Sequence, residues 1–516
     1  MAALVTDQFR ILNAGNFVDS VVNTSNSYYV FVGLSNPTES GFGRSATWDT
    51  NTPNPTDNID YLNFVGDNMM FGKKVTSSNV KRLIRRIDWS RGTKYEMYRH
   101  DYGVNNRSPK TESSRLYDAD YYVINSEYKV YICIDNGSSG ISTTGNASLD
   151  EPTFTDLEPS AAGVSGDGYI WKYLFSVSPS DVIKFDSTEY ITLPNNWSSS
   201  TNTQIAAVRD NGNSDTNLNQ IKKVYIDNQG AGYSNGVGQE LNIVGDGTGA
   251  KVVVDVVGGK ITNAVMSAGG SGYTYGMVDL GSISASATTK AKLIPIIPPS
   301  KGHGYDIYKE LGADKVLVYA RFDDSTRDFP SNTVFSQVGI VKNPTTIGST
   351  SLYTENQFSS LGAIKFTGTP TGSINVGDTV FQSVTGGTAK GYAVSYDTDT
   401  KVLKYVQDRT LSLNPTTFDS TDYVGVSTAA KVFDFASNAN PVTSDAGFSG
   451  SVDTTFSDSV TNPSGTKVIS LGTQFTQGIA SPEINKGSGD IIYLDNRPQI
   501  TRNSRQKEDV KIILEF

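Results

Sequence analysis

Along much of this chain apolar and polar residues alternate with a period of two, as near the end, where Val510, Ile512, Leu514 and Phe516 stand against Lys511 and Glu515. A strand sends successive side chains to opposite faces, so the alternation predicts a half-buried strand. Lys129 to Asp135, Lys251 to Val257 and Lys315 to Phe322 read the same way, each bounded by Gly, Asn or Asp. Two segments break the pattern. Val80, Leu83, Ile84 and Ile87 follow helical spacing while Lys81, Arg82, Arg85 and Arg86 take the opposite side, which predicts an amphipathic helix capped by Asn79 or Ser78. A shorter helix is predicted from Tyr305 to Leu311, with Gly312 where a left-handed terminating residue is wanted.

A repeat lies between about 221 and 280: Val224 to Ser234 (VYIDNQGAGYS) returns as Ala264 to Thr274 (AVMSAGGSGYT), each copy a strand followed by G-x-G-Y. The two copies are expected to pair into a small sheet, as an inserted β module; two copies are too few for a solenoid. A second Gly/Thr-rich β insert is expected from about 355 to 440, and the polar stretch 195 to 219 reads as a linker or exposed loop. The resulting division is 1–219, 220–297, 298–354, 355–440 and 441–516, with the two inserts interrupting one core.

Composition agrees with short strands and turns. The chain has 516 residues with 49 Gly, 27 Tyr and 22 Phe, 37% hydrophobic and 19% charged, which implies a mainly β protein of several globular units with a few short helices. The net charge of −10 is scattered, which argues against a duplex nucleic-acid partner needing a broad cationic face. The single cysteine, Cys133, excludes an intrachain disulfide and fits a reducing compartment. Met1 to Arg10 has no signal-peptide pattern, and no apolar run approaches the roughly 18 residues of a membrane span, so neither secretion by that route nor membrane insertion is expected.

Little here points to catalysis. His100 and His303 are the only histidines, and no H-E-x-x-H, G-x-S-x-G or P-loop pattern occurs. His303 reads as a loop-packing or surface residue. Gly245, Gly247 and Gly249 lack the last glycine of a dinucleotide loop and read as a turn cluster; Asp397-Thr-Asp399 and Asp210 to Asp215 lack the closing Glu of a calcium loop. No catalytic residue, metal ligand or cofactor is therefore assigned. The basic run Lys81, Arg82, Arg85, Arg86, Arg91, Lys94 and Arg99 is either a solvated face with local salt bridges or a contact for an acidic protein surface. Tyr169, Trp171, Tyr173 and Phe175 alternate with Ile170, Lys172 and Leu174, which suits a core-facing strand more than an interface.

Several motifs together resemble the gene product eight family of baseplate wedge subunits in T-even-type contractile-tailed bacteriophages, in its longer, cyanophage-like version. Near the start are Phe31-Val-Gly-Leu-Ser35, Gly43-Arg-Ser45, Trp48 and Pro53-Asn-Pro-Thr-Asp57; next come Ile87-Asp-Trp89 and Thr93-Lys-Tyr95. The most specific are Gly166-Asp167-Gly168-Tyr169-Ile-Trp171-Lys-Tyr-Leu-Phe175 and Ser488-Gly-Asp-Ile-Ile-Tyr493-Leu-Asp-Asn496-Arg497-Pro498, leading into Glu508-Asp-Val-Lys-Ile-Ile-Leu-Glu-Phe516. The resemblance covers about 1–195, 298–345 and 470–516. It implies a β-sandwich-based subunit that dimerises within each wedge, bridges other wedge proteins, moves largely as a rigid body in contraction, and is assembled in the host cytoplasm with no cofactor and no active site. The Gly-rich inserts fall outside it and leave open a tail adhesin that binds host-surface carbohydrate through aromatic platforms on β loops. A polysaccharide-degrading enzyme is a third, weaker idea.

Overall fold

The computed structural model describes residues 3–34, 47–211, 220–284, 286–323, 333–384, 387–407, 440–457, 475–502 and 506–516. The chain is mainly β, with several antiparallel sheets. Among the described residues the α-helices are α1 Asp7–Val22, α2 Ile59–Asn68, α3 Pro179–Phe185, α4 Thr203–Asn211 and α5 Ile307–Leu311. The chain divides into two compact units, one of Met1–Val18, Lys81–Leu317 and Ile513–Phe516, the other of Asp19–Val80 and Val318–Ile512.

In the first unit a four-stranded sheet runs in the order Tyr122–Ile124, Lys129–Asn136, Tyr169–Ser176, Ser160–Ala161. The two long strands pair antiparallel, with Cys133 opposite Trp171. Tyr169, Trp171, Tyr173 and Phe175 are buried, as a core-facing strand requires, but so are Lys172 and Leu174 from the supposed outer face. Buried Lys172 is possible because its Nζ donates to the Leu157 carbonyl at 2.7 Å and Asn211 Oδ1 at 3.2 Å. Burial lowers its pKa.

Two expectations fail in this unit. Val80–Arg85 is a strand, not the start of a helix; Leu83, Ile84 and Arg85 pair with Thr192, Ile191 and Tyr190. Its helical spacing of apolar residues arises because the strand is buried on both sides, with Arg82 buried beside Leu83 and Ile84. The supposed linker also carries structure: α4 occupies its middle, and Trp197 is buried with its indole N–H donating to the Gly304 carbonyl at 2.9 Å. Residues 212–219 lie outside the described ones. The short helix near 305 forms, as α5, and Gly312 ends it at φ 72° in the left-handed region.

The Gly-rich stretch has its own hydrophobic cluster, from Ile221 to Ile297. Its four-stranded sheet runs Lys260–Ser271, Thr248–Val257, Gly236–Gly245, Gly276–Val278. The repeat copies do not form one ladder together: Val224–Asn228 pairs with Lys292–Pro295, and Lys260–Ser271 pairs with Thr248–Val257. What the copies share is the G-x-G-Y corner. Gly230 and Gly232 take φ 66° and 79°, Gly270 and Gly272 take 62° and 75°, and the tyrosine after each pair folds back into the core. Tyr233 Oη accepts from the Ala291 amide at 2.8 Å, while Tyr273 Oη accepts from Ala250 at 3.2 Å and donates to the Ile243 carbonyl at 3.0 Å.

The stretch enters and leaves along that paired Val224–Asn228 and Lys292–Pro295 ribbon and is fixed to the rest of its unit by polar bonds. Lys223 Nζ reaches Asp135 at 2.7 Å and the Ser138 carbonyl at 3.2 Å. The Arg99 guanidinium, held by Asp101 through two 2.9 Å bonds, lies 3.9 Å from the Tyr225 ring centre.

In the second unit a five-stranded sheet runs Gln357–Ser359, Met69–Lys74, Tyr28–Gly33, Val334–Lys342, Asp490–Thr501. A seven-stranded sheet uses residues of the Gly/Thr-rich stretch, running Ser449–Gly450, Val442–Ser444, Thr379–Val384, Gly387–Asp397, Val402–Gln407, Gly362–Lys365, Ile479–Ala480. Residues 408–439 of that stretch are outside the described ones. The margins of these sheets are curtailed. Two-residue strands bound the larger sheet, and a three-residue strand bounds one side of the smaller. On its other side Asp490–Thr501 is interrupted twice by bulges, contains Pro498, and has its Arg497 carbonyl taken by the Trp48 indole N–H at 2.7 Å.

Candidate functional site

The motifs that carry the family resemblance assemble into two clusters, one in each unit. In the first unit Tyr95 joins them. Its amide donates to Tyr169 Oη at 2.8 Å, its own hydroxyl donates to the Asp88 carbonyl at 3.0 Å, and Tyr169 Oη donates to the Asn146 carbonyl at 2.9 Å. Trp171 stacks on Tyr169 at 5.3 Å and meets Tyr95 edge-on at 5.9 Å. Trp89 is half-buried, and its indole N–H donates to Ser148 Oγ at 3.0 Å. Asp167 closes the turn before the strand, with Oδ1 accepting from the Tyr169 amide at 3.0 Å and Oδ2 from Leu149 at 2.8 Å. Gly168 has φ 87°, and a Cβ there would lie 2.9 Å from Gly137 Cα. Burial raises the Tyr169 phenol pKa, which keeps it neutral and suits a hydrogen-bonding rather than a proton-transfer role.

The second cluster joins residues more than 400 positions apart in the chain. Asn496 Nδ2 donates to the Pro53 carbonyl at 3.0 Å and to Tyr61 Oη at 2.7 Å, while its Oδ1 accepts from Gln337 Nε2 at 2.9 Å. Trp48 binds Arg497 as above, and the Gln499 amide donates to Asp49 Oδ1 at 2.8 Å. Arg497 is otherwise ion-paired with Asp495 at 2.7 Å, and Tyr493 lies opposite Ile340. The proline-rich turn and the D-N-R-P segment therefore form one structural element. Ser35 and Gly43-Arg-Ser45 of the early motif are outside the described residues.

The basic run is largely engaged within its own unit. Lys81 pairs with Asp181 at 3.1 Å and Arg86 with Asp88 and Asp186, each at 2.9 Å. Arg82 is buried with its guanidinium 3.8 Å from the Tyr308 ring centre. Arg85 pairs with Asp120 at 3.0 Å and donates to the Ala119 carbonyl at 3.0 Å, with its side chain 44% exposed, while Arg91 is exposed. Neutralisation came from acids up to 100 positions away, which local spacing does not reveal.

The two histidines make hydrogen bonds within the first unit. His100 Nδ1 accepts from the Ile297 amide at 3.1 Å; His303 is buried, its Nδ1 2.5 Å from Glu310 Oε1. Asp397 Oδ1 accepts from the amides of Asp399 and Thr400, which is hairpin chemistry, and Gly245 to Gly249 close a hairpin. Among the described residues no group of three or more His, Cys, Asp or Glu is arranged to hold a metal ion, and no helix is long and apolar enough to cross a membrane. Within the first Gly-rich insert, Tyr233 and Tyr273 are buried and Tyr275 is exposed.

Sequence reasoning missed the tyrosine-centred joints themselves, because their partners are distant in the chain. No family model matches the chain. A search of curated proteins finds similarity to the baseplate wedge protein gp8 of Enterobacteria phage T4, 28% identical over 222 residues. That match takes in 37% of this chain, which spans 60% of the length of the phage protein it is similar to.

Proposed function

We propose that this chain is a structural subunit of a contractile phage tail, built into the baseplate wedge. The observation that carries the reading is the similarity to the T4 baseplate wedge protein, supported by the two motif clusters, in which the family-like residues serve as packing and hydrogen-bonding joints. The subunit bridges other wedge proteins, dimerises within each wedge, and is assembled in the host cytoplasm before it takes its place in the virion. It binds no nucleic acid, carries no catalytic activity, and holds its internal packing while its contacts exchange during contraction. Among the basic residues, Arg85 and Arg91 have the exposure that a contact with an acidic neighbour needs.

The test is co-expression with the other wedge proteins of the same phage, one of them tagged. Recovery of this chain in a defined wedge complex is expected. A protein that stays out of every such complex, or that converts or binds a surface polysaccharide by itself, overturns the reading. Imaging the particle before and after contraction tests the motion: refolding within either unit would refute rigid movement.

A further inference from the structure

The start of the chain is apolar on two sides. Thr6 caps α1, its carbonyl accepting from the amides of Phe9 at 3.1 Å and Arg10 at 3.2 Å. The inner stripe, Ile11, Ala14 and Val18, is buried. Asp7 fixes the first turn through two bonds to Arg115, at 2.9 and 2.7 Å. The outer stripe is Leu4, Val5, Phe9 and Leu12, exposed by 85%, 55%, 53% and 58%. No other stretch of nine described residues holds more than two such exposed large apolar side chains.

We infer that this outer stripe is a docking surface for an apolar groove on a different wedge protein, an inference that rests on the function proposed above. Phe9 and Leu12 stand at i and i+3 on α1, and Leu4 and Val5 lie just ahead of its cap, so the exposed apolar side chains cluster at the start of the helix as groove-seating anchors do. The flanking positions Gln8, Asn13 and Asn16 are uncharged, so the groove that fits has apolar walls and a rim of neutral hydrogen-bonding groups. A second copy of the chain fits less well. The four side chains expose on the order of 400 Å² of apolar surface, about half of the roughly 800 Å² per partner that a stable interface takes, so two such stripes meeting face to face would not hold a dimer. A groove also covers the helix flanks and adds to contacts made elsewhere in a larger assembly. The ion pair to Arg115 and the buried inner stripe keep the helix formed beforehand, which lowers the ordering cost of docking.

The full chain, carrying a photo-crosslinking amino acid at position 9, would be co-expressed with the same phage's wedge proteins. Alongside it, the Phe9→Asp/Leu12→Asp variant would be compared with an Ile183→Asp control, also at an exposed site. A crosslink to a different wedge protein is expected, with at least about a tenfold loss of retention in the complex for the double variant and none for the control. A crosslink to a second copy, no crosslink within an assembled wedge, or full retention of the double variant overturns the inference while leaving the proposed function standing. Should the unsubstituted chain join no wedge complex, the functional reading itself fails and this one with it. The crosslink is read in a chain that keeps Leu4, Val5 and Leu12 and an apolar group at position 9, so a misfolded double variant does not decide the outcome.

Discussion

Replacing Asn496 by Ala tests whether the joint between the two ends of the second unit holds it together. The side chain makes three hydrogen bonds, to Pro53, Tyr61 and Gln337. Each contributes about 1 kcal/mol net, and stranding a buried donor adds about 1–3 kcal/mol. Gln337 is fully buried, and without Asn496 its Nε2 keeps only a 3.4 Å bond to Tyr61 Oη, so most of its hydrogen-bonding is lost. The expected destabilisation is about 4–6 kcal/mol, or roughly 15 °C in the transition of a unit of this size. Denaturant unfolding, followed by hydrogen exchange at Val334–Lys342 to identify the unit, measures it. Asn496→Asp should cost at least as much, since a carboxylate oxygen then faces the Pro53 carbonyl and a charge is placed at a buried site. A double-mutant cycle with Tyr61→Phe should give a coupling of about 1 kcal/mol. A loss below about 1 kcal/mol for the alanine variant, or no coupling, refutes the reasoning.

Three further outcomes follow from the first unit. Gly168→Ala should destabilise by more than about 2 kcal/mol, because it meets both a left-handed backbone and the Gly137 backbone, whereas Gly166→Ala, at φ 68° but in open space, should cost only about 1 kcal/mol; equal losses in denaturant melts would contradict this. Arg99→Met should speed hydrogen exchange across 221–297 more than in Tyr169–Ser176, by stranding Asp101 and removing the cation over Tyr225; unchanged exchange in the Gly-rich stretch would rule out that anchor. Bonds from Thr274, with the Tyr275 amide, hold the Asp246 carboxyl at a pKa of about 2, below the ordinary 3.8. Its stabilising effect is thus complete above pH 4 and disappears as pH falls towards 2. Asp246→Asn should flatten the stability profile in that window only, and an altered slope near neutrality would count against the assignment.

The strands were legible because period-two alternation follows directly from strand geometry, and α5 because its left-handed glycine is a local signal. Val80–Arg85 was not legible. Arg82 has the spacing of a solvent-facing residue, yet its charge is delocalised and weakly hydrated enough to be covered by the Tyr308 ring, a partner 226 positions later. α1 and α3 could have been found: Ile11, Ala14, Val18 and Val21 have helical spacing, and Ser178-Pro179-Ser-Asp181 is a capping sequence that the structure uses, with Ser178 Oγ accepting from the Asp181 amide at 3.1 Å. Motif order along the chain pointed to Trp48, Pro53, Asn496 and Arg497 and to Tyr95, Tyr169 and Trp171, but not to Tyr61, Gln337 or Asn146. Which of them touch was hidden, because Asn496 and Pro53 are brought together only by the sheet between them.

The curtailed sheet margins bear on how such a molecule can be stored. Open backbone donors and acceptors are the same in every protein, so a long flat border would let identical copies zip together wherever they accumulate. With those borders shortened, kinked or stoppered by an indole, these two sheets, among the described residues, offer newcomers mainly side chains. Partner choice then falls to the identities of surface residues, and many copies can wait side by side without spoiling one another.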